Sequence, residues 1–324
     1  MIEGLVTTII PVYNRSPMLR EAVASVLAQT YRPIEIIIVD DGSVDDTAKV
    51  ADELAEVYPE TIRVIHQVNK GVGLAREAGR QETRGEFIQH LDSDDLLLPQ
   101  KFEKQVAGLK AHPECGVAYG KTRYRHPDGR VEPQPWKRSG TRMETMFPSM
   151  LMSRWWDTPT PLYRALVCEQ AGPWTDLRLD EDWEYDCRIA ALGVRLHYCE
   201  TYVVEVRDHD GNRLCRGNAL DAARMSERAR ARMLMFSHAR RAGITEDCLE
   251  MRHLARDLFL LSRQCGAAGL AETSRELFDL ARQASGESRG KGWDFRLYSF
   301  LAGFVGWTRL GKMACYSDGI RNAR

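Results

Sequence analysis

The stretch IEIIIVDDGSVDDT, residues 34–47, drives an unbroken apolar run into two aspartates and then into a segment that can begin a helix. A continuous β-favouring run suits a strand buried on both faces, the condition of a parallel sheet covered by helices, whereas a half-wet strand would alternate apolar and polar residues. Ser43-Val44-Asp45-Asp46 has the form of a capping box ahead of Ala48, Ala51, Leu54 and Ala55, with acids where a helix dipole favours them.

The same alternation continues on both sides. LVTTII (5–10), IRVIHQ (62–67) and EFIQHL (86–91) are β-rich, and helical spacing falls between them. Ser16-Pro17 is a start signal before Leu19, Ala22, Val23, Val26 and Leu27, and Gly71 and Gly73 open a third helical stretch through Leu74 to Arg84. The order βαβαβαβ predicts an α/β fold with a doubly wound, mostly parallel sheet and helices on both faces, whose ligands lie beyond the carboxyl ends of the strands. Asp40, Asp41 and Asp92 fall at such ends.

The regularity stops near residue 120, where GVAYG and KTRYRH lead into the turn-rich HPDGRVEPQPW. A helix is expected from about Glu181 to Leu192, followed by strands near 194–199 and 202–207. Beyond Asn218 the chain reads as helical, broken by ASGESRGKG at 284–292. The expected organisation is a nucleotide-binding half at 1–120, an acceptor-binding and catalytic half of the same domain at 121–217, and a C-terminal helical extension at 218–324.

Composition narrows the function classes. With 324 residues and a net charge of −1, the chain can bury a large core but has no global attraction for nucleic acid or anionic membranes, so any electrostatic function is local. Eight cysteines without a C-x-x-C pair argue against a zinc ribbon or a disulfide framework and for reduced thiols. The N-terminus MIEGLVTTIIPVYNR lacks the basic region of a signal peptide, which leads to an expected cytoplasmic location. LYSFLAGFVGW (297–307) is too short to span a bilayer yet long enough to lie on one, and residues 218–242 hold six arginines against two acids, interleaved with methionines. That basic run is either a solvated face of a packed helix or a peripheral membrane contact.

HLDSDDLLLP (90–99) closes a strand with three carboxylates, which are costly at the edge of a core unless a cation or hydrogen-bond donors compensate them. On an extended segment Asp92 and Asp94 project to the same side and can converge on one hard cation. Two carboxylates are too few to hold magnesium or manganese alone, so diphosphate oxygens and water would complete the shell. The alternative is an acidic turn that caps the next helix.

TTIIPVYNR (7–15), IEIIIVDDGSVDDT (34–47), NKGVGLAREAGR (69–80), HLDSDDLLLP (90–99) and DEDWEYDCRIAALG (180–193), in that order, resemble the family 2 glycosyltransferases of GT-A fold over roughly residues 5–215. The resemblance implies a metal-dependent inverting transfer of a sugar from a nucleotide-diphosphate donor, UDP-linked by expectation, to a hydroxyl of a glycan, lipid-linked or small-molecule acceptor. It implies that Pro11, Tyr13 and Asp40 hold the base, with the Asp40 carboxylate accepting the uracil imide N–H. Asn69, Gly71 and Arg76 would approach the nucleotide, Asp92 the ribose or metal, and Asp94 the metal and diphosphate, while Asp95 caps or orients. The cofactor implied is a divalent cation, Mn or Mg. Asp182 would be the base that deprotonates the acceptor, and Glu181 would bind acceptor hydroxyls.

His209, in VRDHDGNRLCRG (206–217), resembles the loop histidine that approaches the metal in some members, or is a solvated residue; Arg207 and Arg213 are further phosphate candidates. Trp155 and Trp156 either offer an aromatic platform to a sugar or lie in the core. Glu77 stands where the family often has asparagine, a departure that puts the contacts of this helix in question. A nucleotide-sugar-binding protein without turnover is the non-enzymatic alternative. The sugar nucleotidylyltransferases would want a Gly-rich basic loop after the first strand, and D-x-D phosphohydrolases an aspartate where Asn14 stands.

Overall fold

The first four strands, β1 (Ile2–Val12), β2 (Ile34–Asp40), β3 (Ile62–His66) and β4 (Gly85–His90), lie side by side and parallel in the order β3-β2-β1-β4. They come from a computed structural model that describes residues 1–208 and 220–322. Every residue of β2 is buried, as its apolar run demands. The sheet continues through β7 (Leu162–Arg164), β6 (Cys115–Arg125), β8 (Arg195–Arg207) and β5 (Leu96–Leu97) to eight strands, and antiparallel pairings of β7 and β5 make it mixed.

Helices α1 (Ser16–Leu27), α2 (Thr47–Val57), α3 (Val72–Gln81) and α4 (Lys101–Ala111) cover this sheet. Leu19, Val23 and Val26 of α1 join Val50 of α2 and Phe102 of α4 in one core with Ile36 and Ile38 of β2. The alternate residues of the strands face α3: a Cβ at Gly79 would stand 2.4 Å from Cγ2 of Ile9 and 3.3 Å from that of Val39. That close approach needs glycine, and it places helices on both faces, as predicted.

Two local expectations change. The helix after β2 begins at Thr47, without a side-chain cap, because Ser43 instead accepts the Asn14 backbone N–H at 3.0 Å through its hydroxyl. The two strands expected at 194–199 and 202–207 are one thirteen-residue strand, β8, whose pairing with β6 shifts register around Gly120 and Lys121. The irregularity is absorbed within the pair, so the strand does not break.

The chain divides into two compact units. The first holds Met1–Met146, Arg154–Asp176 and β8, and so includes the whole sheet and α5 (Ala165–Ala171). The second holds Phe147–Ser153, Leu177–Ala191 and the C-terminal helices. Its elements are a 3-10 turn at Ser149–Leu151, α6 (Glu181–Ala190), α7 (Ala222–Arg241), α8 (Leu249–Ala267), α9 (Ala271–Ala284), α10 (Gly286–Gly290), α11 (Trp293–Val305) and α12 (Trp307–Asn322). The short α10 occupies the expected break at 284–292. Among the described residues no helix is long and apolar enough to cross a membrane.

One arginine of α7 is engaged inside the second unit. Arg232 donates to Asp180 at 3.0 Å and to Asp257 at 2.8 Å, and its guanidinium lies 4.1 Å from the Trp183 ring centre. Met225, Met235 and Phe236 are buried, and Met233 and Leu234 are half-buried, so two of the three methionines that suggested a membrane face belong to the packed side. Of the cysteines, Cys115, Cys199, Cys248 and Cys265 are free thiols, and burial pushes Cys199 up to about 11 and Cys265 up to about 12, out of the range of thiolate chemistry.

Candidate active site

The parallel register lines up the carboxyl ends of four strands. Val12 of β1 lies opposite Asp40 of β2, Asp40 lies opposite His66 of β3, and Leu91 donates its N–H to Ile9 across β1 and β4. The acids that follow these strands therefore share one edge of the first unit, with Pro11 buried at the end of β1 and Tyr13 exposed just past it.

Asp40 is buried and doubly engaged. One oxygen accepts the Ser43 N–H at 3.1 Å, and the other stands 3.1 Å from Nδ1 of His66. Nε2 of His66 lies 2.9 Å from Asp52. The Asp52 and Asp40 pairings raise the His66 pKa above its ordinary 6.5 against the opposing effect of burial. A raised folded-state value means that the pairing stabilises fully below about pH 6.5 and loses its contribution as pH rises through the folded pKa. The difference in unfolding free energy between the parent and His66→Gln should therefore shrink over that interval when measured by denaturant titration at several pH values. Parallel curves would remove His66 from the account.

Asp41 performs a task that sequence reading passed over. Its Oδ1 accepts the Lys70 N–H at 2.8 Å and the Gln67 side-chain amide at 2.7 Å, and its Oδ2 accepts the Gly71 N–H at 2.9 Å. One carboxylate thus fixes the Asn69–Gly71 loop against the end of β2. Gly42 makes this possible: its φ is +76°, and a Cβ there would come within 2.7 Å of the Asn69 nitrogen.

Two of the three carboxylates after β4 have a cationic partner. Arg15 pairs with Asp94, and Nη2 of Arg76 donates to Asp92 at 2.6 Å. Asp95 is buried, and desolvation followed by the charges of Asp94 and Asp92 holds its carboxyl well above the usual carboxylate range, although the Arg207 N–H donates to it at 3.1 Å. Arg207 also donates through Nε to the Asp94 carbonyl at 2.7 Å and pairs with Glu21, so it braces the acidic turn.

Arg76 corrects the sequence reading. Its side chain is only 2% exposed, and its guanidinium lies over Trp174 with 4.8 Å to the ring centre. Buried between Asp92 and an indole, it positions a carboxylate and does not reach outward to a base or phosphate. The unusual Glu77 beside it has a structural reason. It accepts from Arg80 twice at 2.7 Å, from Gln81 at 3.0 Å and from the Trp174 N–H at 3.1 Å, so it anchors the segment on which Arg76 rests. Burial pushes Glu77 up, but these hydrogen bonds outweigh it and hold the carboxyl below its ordinary value.

Trp155 and Trp156 require a second correction. Both are fully buried, edge-on to each other at 5.7 Å, and Trp156 packs 5.0 Å from Tyr119. Their ring faces are taken up by the core, which leaves no platform for a sugar. His209 and Arg213 lie outside the described residues.

Glu181 and Asp182 belong to the second unit, in the first turn of α6. Asp180 precedes them at φ +58° and is held by Arg232, and the Trp183 N–H donates to Asp182 at 2.7 Å. Trp183 itself donates through Nε1 to the Met150 carbonyl at 2.8 Å. One turn on, burial pushes the Glu184 carboxyl up, but hydrogen bonds from His238 and Arg188 overcome this and hold it below the ordinary range. The start of α6 is therefore fixed by buried polar contacts that its sequence gave no sign of.

The acidic turn offers carboxylate oxygens, the donors that a hard divalent cation prefers. Among the described residues no group of three or more His, Cys, Asp or Glu side chains is arranged to hold an ion. An ion there depends on oxygens from substrate and water as well.

Residues 7–163 match the family described as Glycosyl transferase family 2. That match spans just under half of the chain. An uncharacterized glycosyltransferase of Nostoc sp. is 40% identical over 114 residues, which are 35% of this chain and 35% of that protein. The chain thus spans about a third of the length of that relative. Among solved structures, residues 1–349 of S. aureus TarS share 19% identity at a TM-score of 0.67, covering 98% of this chain and 92% of that one. A mannosyltransferase of Pyrobaculum calidifontis, in complex with GDP-Man and Mn2+, shares 18% identity at a TM-score of 0.54 and covers 95% and 86%. The two solved structures establish the GT-A type of fold for this chain.

Proposed function

We propose that the protein is an inverting glycosyltransferase that moves a sugar from a UDP-linked donor to a hydroxyl of a glycan, lipid-linked or small-molecule acceptor. The observation that carries this reading is the shared edge at which Asp40 ends β2 and the Asp92–Asp94 pair follows β4, the two strands that flank β1, within residues that match glycosyl transferase family 2. TarS has been solved in complex with UDP-GlcNAc and with UDP, which supports a uridine donor.

In this reading Pro11, Tyr13 and Asp40 bind the base, Asn69 and Gly71 present backbone to the nucleotide, and Asp92, positioned by Arg76, meets the ribose. Asp94 and Asp92, with His209, are the protein ligands for a Mn or Mg ion. Bound there, such an ion supplies charge neutralisation of the departing nucleoside diphosphate. Asp182 accepts the proton of the acceptor hydroxyl as its oxygen bonds to the anomeric carbon and the bond from that carbon to the diphosphate oxygen breaks. Glu181 holds acceptor hydroxyls.

Thermal denaturation with UDP-, GDP- and dTDP-sugars, each with Mn, Mg or chelator, tests the donor half. A UDP-sugar at a hundred times its Kd should add about 2.7 kcal/mol of stability, and only with divalent metal. Equal stabilisation in chelator would contradict the metal role of Asp94. If no nucleotide sugar shifts the transition, the donor assignment fails.

A further inference from the structure

Helix α11 is apolar on two sides. Its inner side is packed: Phe295 and Ala302 are buried, and Tyr298 stacks on Phe278 at 5.6 Å. On the opposite side Trp293, Leu297, Phe300, Leu301 and Phe304 recur at helical spacing and are all exposed, with Trp293 at 76%, Phe300 at 71% and Phe304 at 84%. Single exposed apolar residues are ordinary, but a continuous stripe of aromatic side chains marks a contact surface.

The charges around the stripe identify its occupant. Between residues 286 and 317 stand Arg289, Lys291, Arg296, Arg309 and Lys312 against only Glu287 and Asp294. Both acids are paired, Asp294 with Arg289 at 2.8 Å and Glu287 with Lys291 at 3.4 Å. Arg296 flanks the stripe on α11 itself, and Arg309 and Lys312 are exposed on α12. This surface is cationic in a chain whose net charge is −1. A two-fold contact with a second copy would set the same patch against itself and bring Arg296 near its own equivalent, which like charge opposes. Aromatic and leucine side chains on one face with arginine and lysine beside them are what an interfacial helix presents to anionic lipid.

We infer that the exposed face of α11, with Arg296 at its side and the exposed Arg309 and Lys312 on the helix that follows, is a docking surface for an anionic lipid bilayer. The helix lies in the plane of the interface and does not span the membrane. Of the two segments that the sequence offered for a membrane contact, this selects the one at 297–307 over α7, whose Met225, Met235 and Phe236 are packed, and it stands independently of the transferase reading.

The test is sedimentation of the full chain with vesicles of phosphatidylcholine alone or of phosphatidylcholine mixed with phosphatidylglycerol, beside sedimentation velocity without lipid. The protein should bind the mixed vesicles, less so as salt rises, and bind the neutral ones poorly. Phe300→Glu and Phe304→Glu should each weaken binding by about ten-fold or more, given the apolar area withdrawn from the interface. Arg296→Glu should weaken it in a salt-dependent manner. Both phenylalanine variants should keep the parent's melting temperature, because the residues are exposed. Failure to bind mixed vesicles, or equal binding by the parent and the two phenylalanine variants, would overturn the assignment. So would a lipid-free dimer that these variants abolish, since the stripe would then be a contact between copies.

Discussion

The Asp182→Asn protein is expected to bind UDP as the parent does and to transfer sugar about 10²–10⁴-fold more slowly, the range associated with loss of a positioned general base. Asparagine preserves the shape of the side chain and can still accept the Trp183 N–H, but it cannot take up the acceptor's proton. The first turn of α6 is a suitable place for a carboxylate that must stay ionised, because the helix dipole favours negative charge there. Its surroundings are rigid, with Asp180 tied to Arg232 and Trp183 tied to the Met150 carbonyl, so the substitution should leave the helix in position. Single-turnover transfer assays beside UDP titration separate the two effects. Unchanged transfer would remove the base assignment, whereas loss of UDP binding together with transfer would indicate a folding defect.

Trp156→Ala should cost about 3–5 kcal/mol of unfolding free energy, the usual penalty for emptying a buried aromatic site. The side chain is fully buried against Tyr119 and Trp155, and Tyr119 is itself held by its hydroxyl donating to the Thr141 carbonyl at 2.7 Å. Removing the indole leaves a cavity that these hydrogen-bonded neighbours are poorly able to fill. A sugar platform on the surface would behave oppositely, with stability shifting by no more than about 0.5 kcal/mol while the acceptor KM rises. Guanidinium unfolding and acceptor kinetics on the same variant decide between the two.

The parts of this molecule that were legible in sequence are those where a single physical demand dictates residue type. The run Ile36–Val39 admits little besides a doubly covered strand, and Ser16-Pro17 marks a helix start that the fold keeps. Helix α4 gave no comparable signal, because Lys101 and Gln105 lie on its buried side and interrupt the apolar spacing. Lys101 is tolerated there by donating to Gln105 at 2.6 Å and to the Thr160 carbonyl at 2.8 Å, partners that only the fold brings together.

Within the candidate site the same contrast holds. That acids would follow β2 and β4 was plain, but how adjacent acids divide their work was not. Asp40 and Asp41 differ by one position on an extended backbone, and side-chain direction alone gives one to His66 and the other to the Asn69–Gly71 loop. Arg76 and Glu77 were similarly opaque, because their shared partner Trp174 is about a hundred residues distant in sequence. For Trp155 and Trp156 a core and a platform call for the same residue type, so only burial could decide.

The bracket formed by Asp41 bears on how a nucleotide would be received. Ordering a residue's backbone costs about 1–2 kcal/mol, and a loop that must be shaped by its ligand subtracts that cost from affinity. Here the backbone of Lys70 and Gly71 is fastened while the chain folds, so an arriving base meets a finished contour. Exchange of one donor for another can then proceed by altering side chains along a fixed rim, with no part of the scaffold rebuilt.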